Sequence, residues 1–531
     1  MEEEEEESKK REQERGNGDD DASSAAVARA RNISRGLGSL TLQNVASSVL
    51  AFVFLGAVVR LLSPTSVGAY VAILLLIGIL STAANFGLSY AATRYVALYS
   101  SSSSSSSSGD QGDDALAWRA AKATLILAIV FSLGATAAFA IASPSLSLFF
   151  MKSTSWTGFF LLGSLWLFSM SLAIVVQGII QGMKKYVALA KMLLISRIAM
   201  VALTVVGLLV SHDVDVAILA WVVYYAIIVA WCVKIFAGRL FTARGALPYS
   251  QMLRYSIPLG IAAILSIVST SADQIVVGGY LSASSLAVYG LAVLISAVLN
   301  VVLVIPLTTA FLPEASSSSQ NAGEVSNGMR LAIRFLVLAL LPASFLIAAL
   351  SNQFLILFSG NASYFAGAQS LELIATTYVF FGAQTAIYSL LQAVGRTIQA
   401  LIVGFVIVAL DIGGSLVLVP PLGLLGAAVM KVSVGIVGMV VAAYFARDYM
   451  RRMDPPIFYV KSFVASFIPF VILLFLSMDY TSDVTSLFPF ALLGVVIFLA
   501  CLKGLRVLSD QDRFFLSHAL PRSFQRLLSI L

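Results

Sequence analysis

The sequence predicts an all-α integral membrane protein with about 14 transmembrane helices. Hydrophobic residues make up 59% of the chain and charged residues only 11%, which is too apolar for a soluble domain. The chain also divides into 14 apolar runs bounded by charges, Gly, Pro or Ser. Each run is long enough to cross a bilayer, because a span needs about 20 residues of helix. The distribution of Lys and Arg fits the same number of crossings.

The predicted spans fall into three groups along the chain. The first six are 40–62, 67–91, 117–142, 155–180, 188–211 and 215–237. The next six are 250–277, 284–312, 329–350, 371–393, 399–418 and 423–445. The last two are 458–477 and 487–505.

Lys and Arg lie almost entirely on one side of the predicted membrane. If the N-terminus is cytoplasmic, all but three of the 33 basic residues fall in inner segments, as the positive-inside rule expects. The exceptions are Arg60, Lys152 and Lys431. The outer loops instead carry Asp213, Asp215, Asp479 and Asp483. Because the alternation holds through every predicted span, we expect both termini to be cytoplasmic.

Short internal matches divide the chain into two related parts. An offset of 219 residues pairs "VVRLLSPTSVGAY" with "VGGYLSASSLAVY", and an offset of 211 pairs "QGMKKYVAL" with "QAVGRTIQA". Six helices per part is an even number, so the two parts share one orientation in the membrane. The predicted division is a charged, disordered tail at 1–36, an N-lobe at 37–245, a C-lobe at 246–450, and helices 13 and 14 with a basic tail at 451–531.

Eight short motifs carry a family resemblance. They are "RLLSPTSVGAY", "NFGLSYAATRYVA", "QGMKKY", "LRYSIPLG", "ADQIVVGGYLSASSLAVYG", "IPLTTAFLPEAS", "LLQAVGR" and "PPLGLLGAA". In this order and spacing they resemble the polysaccharide-exporter branch of the multidrug/oligosaccharidyl-lipid/polysaccharide (MOP) flippase superfamily. The resemblance covers residues 37–450.

The resemblance implies a fold, a transport mode and a class of substrate. The expected fold has two pseudo-symmetric six-helix lobes in a MATE-like arrangement, which alternate in access by rocking against one another. The implied substrate is an oligosaccharide linked to polyprenyl or dolichyl diphosphate, which crosses the cytoplasmic membrane. Expected partners are the bilayer, H⁺ or Na⁺ as a coupling ion, and glycan-assembly enzymes. No cofactor and no nucleic acid is expected, since the net charge of +6 reflects the positive-inside bias.

Two charges lie deep in the predicted C-lobe. Lys431 and Asp411 are each ten residues from Pro421 in the connection between their helices, so they are expected at equal depth and can pair. One interpretation is a coupling site, where H⁺ or Na⁺ competes with Lys431 for Asp411. The other is a structural ion pair that lets both groups reside in lipid.

Four further charges are candidates for the transport path. Arg197 is expected about 14 Å into the fifth predicted helix, at 1.5 Å per residue, where it either binds diphosphate or snorkels to the interface. Arg60, at the outer boundary, is an interfacial anchor or an outward-facing phosphate contact. Arg94, at the inner end of the second predicted span, is a positive-inside residue or a first contact for substrate. Asp273 matches an acid of the family pattern, with capping or pairing as the alternative.

Other functional classes lack their sequence signals. There is no P-loop, and His212 and His518 lie too far apart in sequence to suggest a metal site. The longest predicted outer loop, 351–370, contains no charge and so offers no catalytic acid. We therefore expect no catalytic residue and no enzyme. Two alternatives to the flippase stay open. One is a multidrug or cation antiporter of the same superfamily, which is disfavoured because the first six spans have no carboxylate in their interior. The other is a membrane scaffold for glycan-assembly enzymes.

Overall fold

The computed structural model describes residues 39–40, 42–102, 111–242, 249–308, 322–478 and 484–508. These residues form helices joined by short connections, and no β-strand occurs among them. The predicted tail at 1–36 and the chain beyond 508 lie outside the described residues.

Seven helices make up the first half of the fold, residues 42–242. They are α1 (Leu42–Leu61), α2 (Pro64–Asn85), α3 (Leu88–Ser102), α4 (Gln111–Met151), α5 (Thr157–Gly182), α6 (Tyr186–Ser211) and α7 (Asp215–Thr242). The predicted span 67–91 is corrected by this structure, because it is interrupted between α2 and α3. There Phe86 and Gly87 adopt φ values of 45° and 77°, which end one helix and redirect the next.

The second half, residues 249–445, has a similar order of helices. They are α8 (Tyr249–Tyr280), α9 (Ala283–Leu299), α10 (Ala322–Ala349), α11 (Ser351–Ser359), α12 (Ala368–Thr376), α13 (Tyr378–Ala393), α14 (Thr397–Leu422) and α15 (Leu424–Phe445). A π-helical turn, Asn300–Val304, continues α9, and a 3₁₀ turn, Ala362–Gly367, precedes α12. The expectation of a loop at 351–370 is wrong, since α11 and the 3₁₀ turn occupy most of it.

Thirteen of the described helices are long and apolar enough to cross a membrane. A fourteenth span is formed if the segment Ala362–Thr376 and the helix Tyr378–Ala393, bent by 46° relative to each other, count as one. The structure thus confirms an all-α chain with 13 to 14 spans. The last two are α16 (Pro456–Ser477) and α17 (Leu487–Gly504), which pack against each other, while α16 also packs against α10.

Helix α2 joins the two halves. It packs against α4 and α5 of the first half and against α8 and α9 of the second. At one end a Cβ placed on Gly68 would lie 1.9 Å from the carbonyl oxygen of Ala283. Just beyond the other end a Cβ on Gly260 would lie 2.7 Å from the carbonyl oxygen of Phe86. Glycine permits this close approach of backbones, and the halves therefore meet at both ends of α2.

Candidate functional site

A buried polar cluster lies in the second half, around Lys431. Its ammonium lies 3.1 Å from Oδ1 of Asp273 and donates to the carbonyl oxygen of Thr270 at 3.0 Å. The hydroxyl of Tyr289 donates to Oδ2 of the same aspartate at 2.7 Å. The side chain of Asp273 is fully buried and that of Lys431 is 13% exposed. Helices α8, α9 and α15 thus meet through one hydrogen-bonded ion pair.

A second carboxylate, Asp411 on α14, lies beside this pair. It is fully buried and close enough for its charge to interact with both Asp273 and Lys431. Neither of its oxygens makes a hydrogen bond within the described part of the chain. The predicted pairing of Asp411 with Lys431 is therefore corrected. The ammonium instead reaches α8, which offers it both a carboxylate and a backbone carbonyl.

Two adjoining cavities border this cluster. One, of about 230 Å³, is lined by Lys431, and the other, of about 210 Å³, by Gln384. Thr270, Asn300 and Phe381 line both cavities. The side-chain oxygens of Asn300 and Gln384 are buried without a hydrogen-bond partner among the described residues. The cluster thus borders space that contains unsatisfied polar groups.

Arg197 belongs to a different cluster, in the first half. Its guanidinium carbon lies 5.0 Å from the ring centroid of Trp221 and 5.3 Å from that of Tyr224, within cation–π range. Trp221 stacks on Trp166 at 5.3 Å and donates to the hydroxyl of Tyr70 at 2.9 Å. No described carboxylate forms an ion pair with Arg197, and its buried Nε has no hydrogen-bond partner. The structure therefore places Arg197 in the first half and Lys431 in the second.

The two clusters occupy related places in the repeat. The offset of 219 residues that pairs Tyr70 with Tyr289 also pairs Phe54 with Asp273. Phe54 lies 6.0 Å from Tyr70 between ring centroids, whereas Asp273 accepts a hydrogen bond from Tyr289. Positions that the sequence repeat pairs therefore belong to an aromatic cluster in one half and to an ion-pair cluster in the other.

The remaining predicted cations connect the two halves. Arg60 donates to the carbonyl oxygen of Leu357, near the end of α11. The guanidinium carbon of Arg94 lies 4.5 Å from the ring centroid of Tyr255 on α8. Both are therefore contacts between the halves in this structure.

A family comparison now identifies the chain. Residues 33–319 match the family described as "Polysaccharide biosynthesis protein". This match covers more than half of the 531 residues. The chain belongs to the polysaccharide biosynthesis protein family. No curated protein matches it.

Solved structures with the same fold come from the MOP superfamily. The chain resembles "Lipid II flippase MurJ, inward closed conformation" with a TM-score of 0.68 and 15% identity, covering 88% of this chain and 97% of that one. An inward-facing multidrug resistance MATE family transporter gives a TM-score of 0.60 at 15% identity, covering 78% and 98%. A MOP superfamily transporter from Pyrococcus furiosus Vc1 gives 0.57 at 16% identity, covering 79% and 96%. At these identities the likeness shows the fold.

Membership in the polysaccharide biosynthesis protein family bears on only part of the site. The matched range includes Arg60, Arg94, Arg197 and Asp273, and it ends before Asp411 and Lys431. The chain is thus a multi-pass membrane protein of the polysaccharide biosynthesis protein family.

Sequence reasoning missed the partners of these charges. In the sequence, Tyr289 stands out only through the repeat, which pairs it with Tyr70. Trp221 and Tyr224, which contact Arg197, and Trp166, which stacks on Trp221, give no separate signal in the sequence because aromatic residues are common throughout the spans. Lys152 is one of three basic residues outside the inner segments. This exception to the positive-inside rule is the sequence signal that singles it out.

Proposed function

We propose that this protein is a flippase for a lipid-linked oligosaccharide or polysaccharide precursor carried on polyprenyl or dolichyl diphosphate. In this proposal the N-lobe, 37–245, and the C-lobe, 246–450, rock about the contacts of α2, and the substrate crosses the cytoplasmic membrane between them. Both termini are cytoplasmic in this arrangement. Family membership and the fold support a membrane transporter, and the charges support the class of substrate.

The proposal rests on the observation that Arg197 forms no ion pair with a carboxylate of the described residues. A guanidinium inside a membrane-spanning helix is costly, and such cations usually pair with an acid. Arg197 instead contacts aromatic rings and donates one weak hydrogen bond to the sulfur of Met200, so most of its donors stay available to an anion. A guanidinium binds phosphate oxygens through paired hydrogen bonds. Arg197 would therefore hold the diphosphate while the sugar passes between the lobes.

Cation coupling is proposed at Asp411. Two carboxylates and one ammonium share the cluster, so one negative charge has no counter-charge of its own. A proton or Na⁺ at Asp411 would supply it, and the ammonium of Lys431 could then turn from Asp273 toward an anionic substrate. The unsatisfied oxygens of Asp411 support this role.

The test is transport of a fluorescent polyprenyl-diphosphate oligosaccharide in proteoliposomes. We expect flipping by the wild type, loss in Arg197→Ala, and retention in Lys191→Ala, which removes an exposed charge from the same helix. Lys431→Ala and Asp411→Asn should slow flipping and remove its dependence on a cation gradient. Flipping by Arg197→Ala at the wild-type rate would refute the role of Arg197.

A second candidate is a multidrug or cation antiporter. The excess carboxylate in the second half favours it, because an acidic site can exchange H⁺ for an organic cation. It predicts that proteoliposomes move no lipid-linked sugar but exchange protons for small organic cations. The scaffold alternative predicts loss of function on deletion of residues 1–36, whereas a transporter should keep its activity.

A further inference from the structure

A third cavity lies apart from both charged clusters. It has a volume of about 600 Å³ and is lined by side chains of α10, α13, α15, the turn that follows α15, and α16. Every lining residue is hydrophobic or aromatic. This volume falls within the range of small-molecule sites, about 300–1,000 Å³. None of its residues comes from the first half or from the α2, α8 and α9 contact.

The cavity borders the surface that faces lipid. Val460 and Phe463 of α16 line it and are 56% and 46% exposed. Since α16 crosses the membrane, these exposed apolar side chains contact lipid chains. An acyl chain can therefore enter from the bilayer between α15 and α16.

Positive charge surrounds one end of the cavity. In the sequence Met450-Arg451-Arg452-Met453 the two methionines line the cavity, and the two arginines between them are exposed. Six arginines lie in this region, on the first part of α10, before α14 and in the turn after α15: Arg330, Arg334, Arg396, Arg447, Arg451 and Arg452. Among the described residues of this region, three acids accompany them: Glu324, Asp448 and Asp454.

Two of these acids, Asp448 and Asp454, already form ion pairs with arginines of this region. The buried carboxylate of Asp454 lies 2.7 Å from Arg330 and 2.8 Å from Arg334. Asp448 lies 2.9 Å from Arg396 and 3.8 Å from Arg451. With six arginines and three acids, this end of the cavity keeps an excess of positive charge.

We propose that this cavity binds an anionic phospholipid of the adjacent leaflet, with one acyl chain between α15 and α16 and the phosphate at Arg451 and Arg452. An apolar cavity next to clustered arginines matches both parts of such a lipid, and basic pockets between transmembrane helices bind anionic head groups. The lipid would hold α16 and α17 against the second half. The site is separate from the transport path and does not depend on the proposed function.

The test is native mass spectrometry of the delipidated full-length protein with dioleoyl phosphatidylglycerol or dioleoyl phosphatidylcholine. We expect one phosphatidylglycerol to bind about tenfold more tightly than phosphatidylcholine. Arg451→Gln/Arg452→Gln should remove this preference. The matched control Lys184→Gln/Lys191→Gln, which neutralises two exposed lysines of the first half, should retain it.

A second pair of variants tests the acyl chain. Ala443→Trp fills the cavity from α15 and should abolish the tight phosphatidylglycerol site. Val440→Trp, on the lipid-facing side of the same helix, should leave it unchanged. Equal binding of the two lipids by the wild type, or tight binding by Ala443→Trp, would overturn the proposal. Displacement of the bound phospholipid by polyprenyl diphosphate would also overturn it, because the cavity would then belong to the substrate.

Discussion

Lys152 donates a hydrogen bond to the backbone carbonyl oxygen of Gly279 and thereby joins the end of α4 to the end of α8. It also donates to the carbonyl oxygen of Phe149 at 2.7 Å. Arg60 makes a second such contact between the halves, to Leu357. Both acceptors lie in the last turn of a helix, where carbonyl groups lack helical partners and carry partial negative charge. Two of the three basic residues outside the inner segments therefore connect the halves.

The contact of Lys152 predicts a change in how the halves separate. Lys152→Met removes the donor but keeps most of the aliphatic stem, so this side of the molecule should open more readily. Spin labels can be placed at Ser155→Cys and Ser363→Cys in a background where Cys232 and Cys501 are replaced by Ser. Double electron–electron resonance should then show that the distance between the two labels becomes longer in Lys152→Met.

The control for this experiment is Lys234→Met, which removes an exposed cation of α7. Its distance distribution should match that of the wild type. A distribution unchanged in Lys152→Met would mean that the hydrogen bond to Gly279 does not restrain opening.

In the ion-pair cluster, neutralising Asp273 and neutralising Asp411 should have different effects on the stability of the protein. Lys431→Met leaves Asp273 and Asp411 without a counter-charge, and loss of one partner of a buried pair typically costs about 3–5 kcal/mol. Asp273→Asn should also destabilise, because it weakens the acceptor for Lys431 and Tyr289. Asp411→Asn removes the unmatched charge and should leave the melting temperature equal or higher.

These stabilities can be compared by thermal unfolding in one detergent at neutral pH. The double variant Lys431→Met/Asp273→Asn should recover part of the loss, since it removes both charges of the pair. A drop in melting temperature for Asp411→Asn as large as that for Lys431→Met would show that Asp411 is a structural member of the cluster.

The sequence predicts that these charges lie at one depth in the membrane, but it does not predict which of them pair. Lys431 and Asp411 are close, as the distance of each from Pro421 indicated. Hydropathy and sequence spacing give the depth of a residue but not the direction in which its side chain leaves the helix. Asp273, which is distant in sequence from both, became the partner because α8 packs against α14 and α15. Such contacts form where helices that are distant in the sequence pack together, so sequence spacing alone does not predict them.

The fold was more accessible to prediction than the site. Long apolar runs identified the spans because lipid requires continuous helix. The sequence does not predict the break at Phe86 and Gly87, because neither residue interrupts the run of high hydropathy. The sequence predicts a loop at 351–359 because the helix there is shorter than a membrane span. Arg197 and its rings were also missed as a unit, since they come from separate helices.

The Asp448 carboxyl predicts a pH dependence at the turn after α15. The hydrogen bond from Arg396 holds the pKa of Asp448 below its ordinary value of 3.8. A lowered pKa in the folded state means that the interaction stabilises the protein above the ordinary pKa and is lost as the pH falls through the lowered one. The melting temperature of the wild type should exceed that of Asp448→Asn at pH 7, and the difference should disappear at strongly acidic pH. A difference that stays constant down to pH 3 would assign the effect to packing.

Gly68 predicts how strictly α2 must approach α9. A Cβ at this position would lie 1.9 Å from the carbonyl oxygen of Ala283, and backbone cannot move aside as a flexible side chain can. Gly68→Val should therefore force the helices apart and destabilise the protein by about 1–3 kcal/mol, the usual cost of overpacking. Gly56→Val is the matched control, because a Cβ on Gly56 meets nothing within 4 Å. If both variants melt at the same temperature, the close crossing of α2 and α9 does not hold the halves together. If only Gly68→Val melts early and also lengthens the distance between labels at 155 and 363, the crossing and Lys152 restrain the same opening.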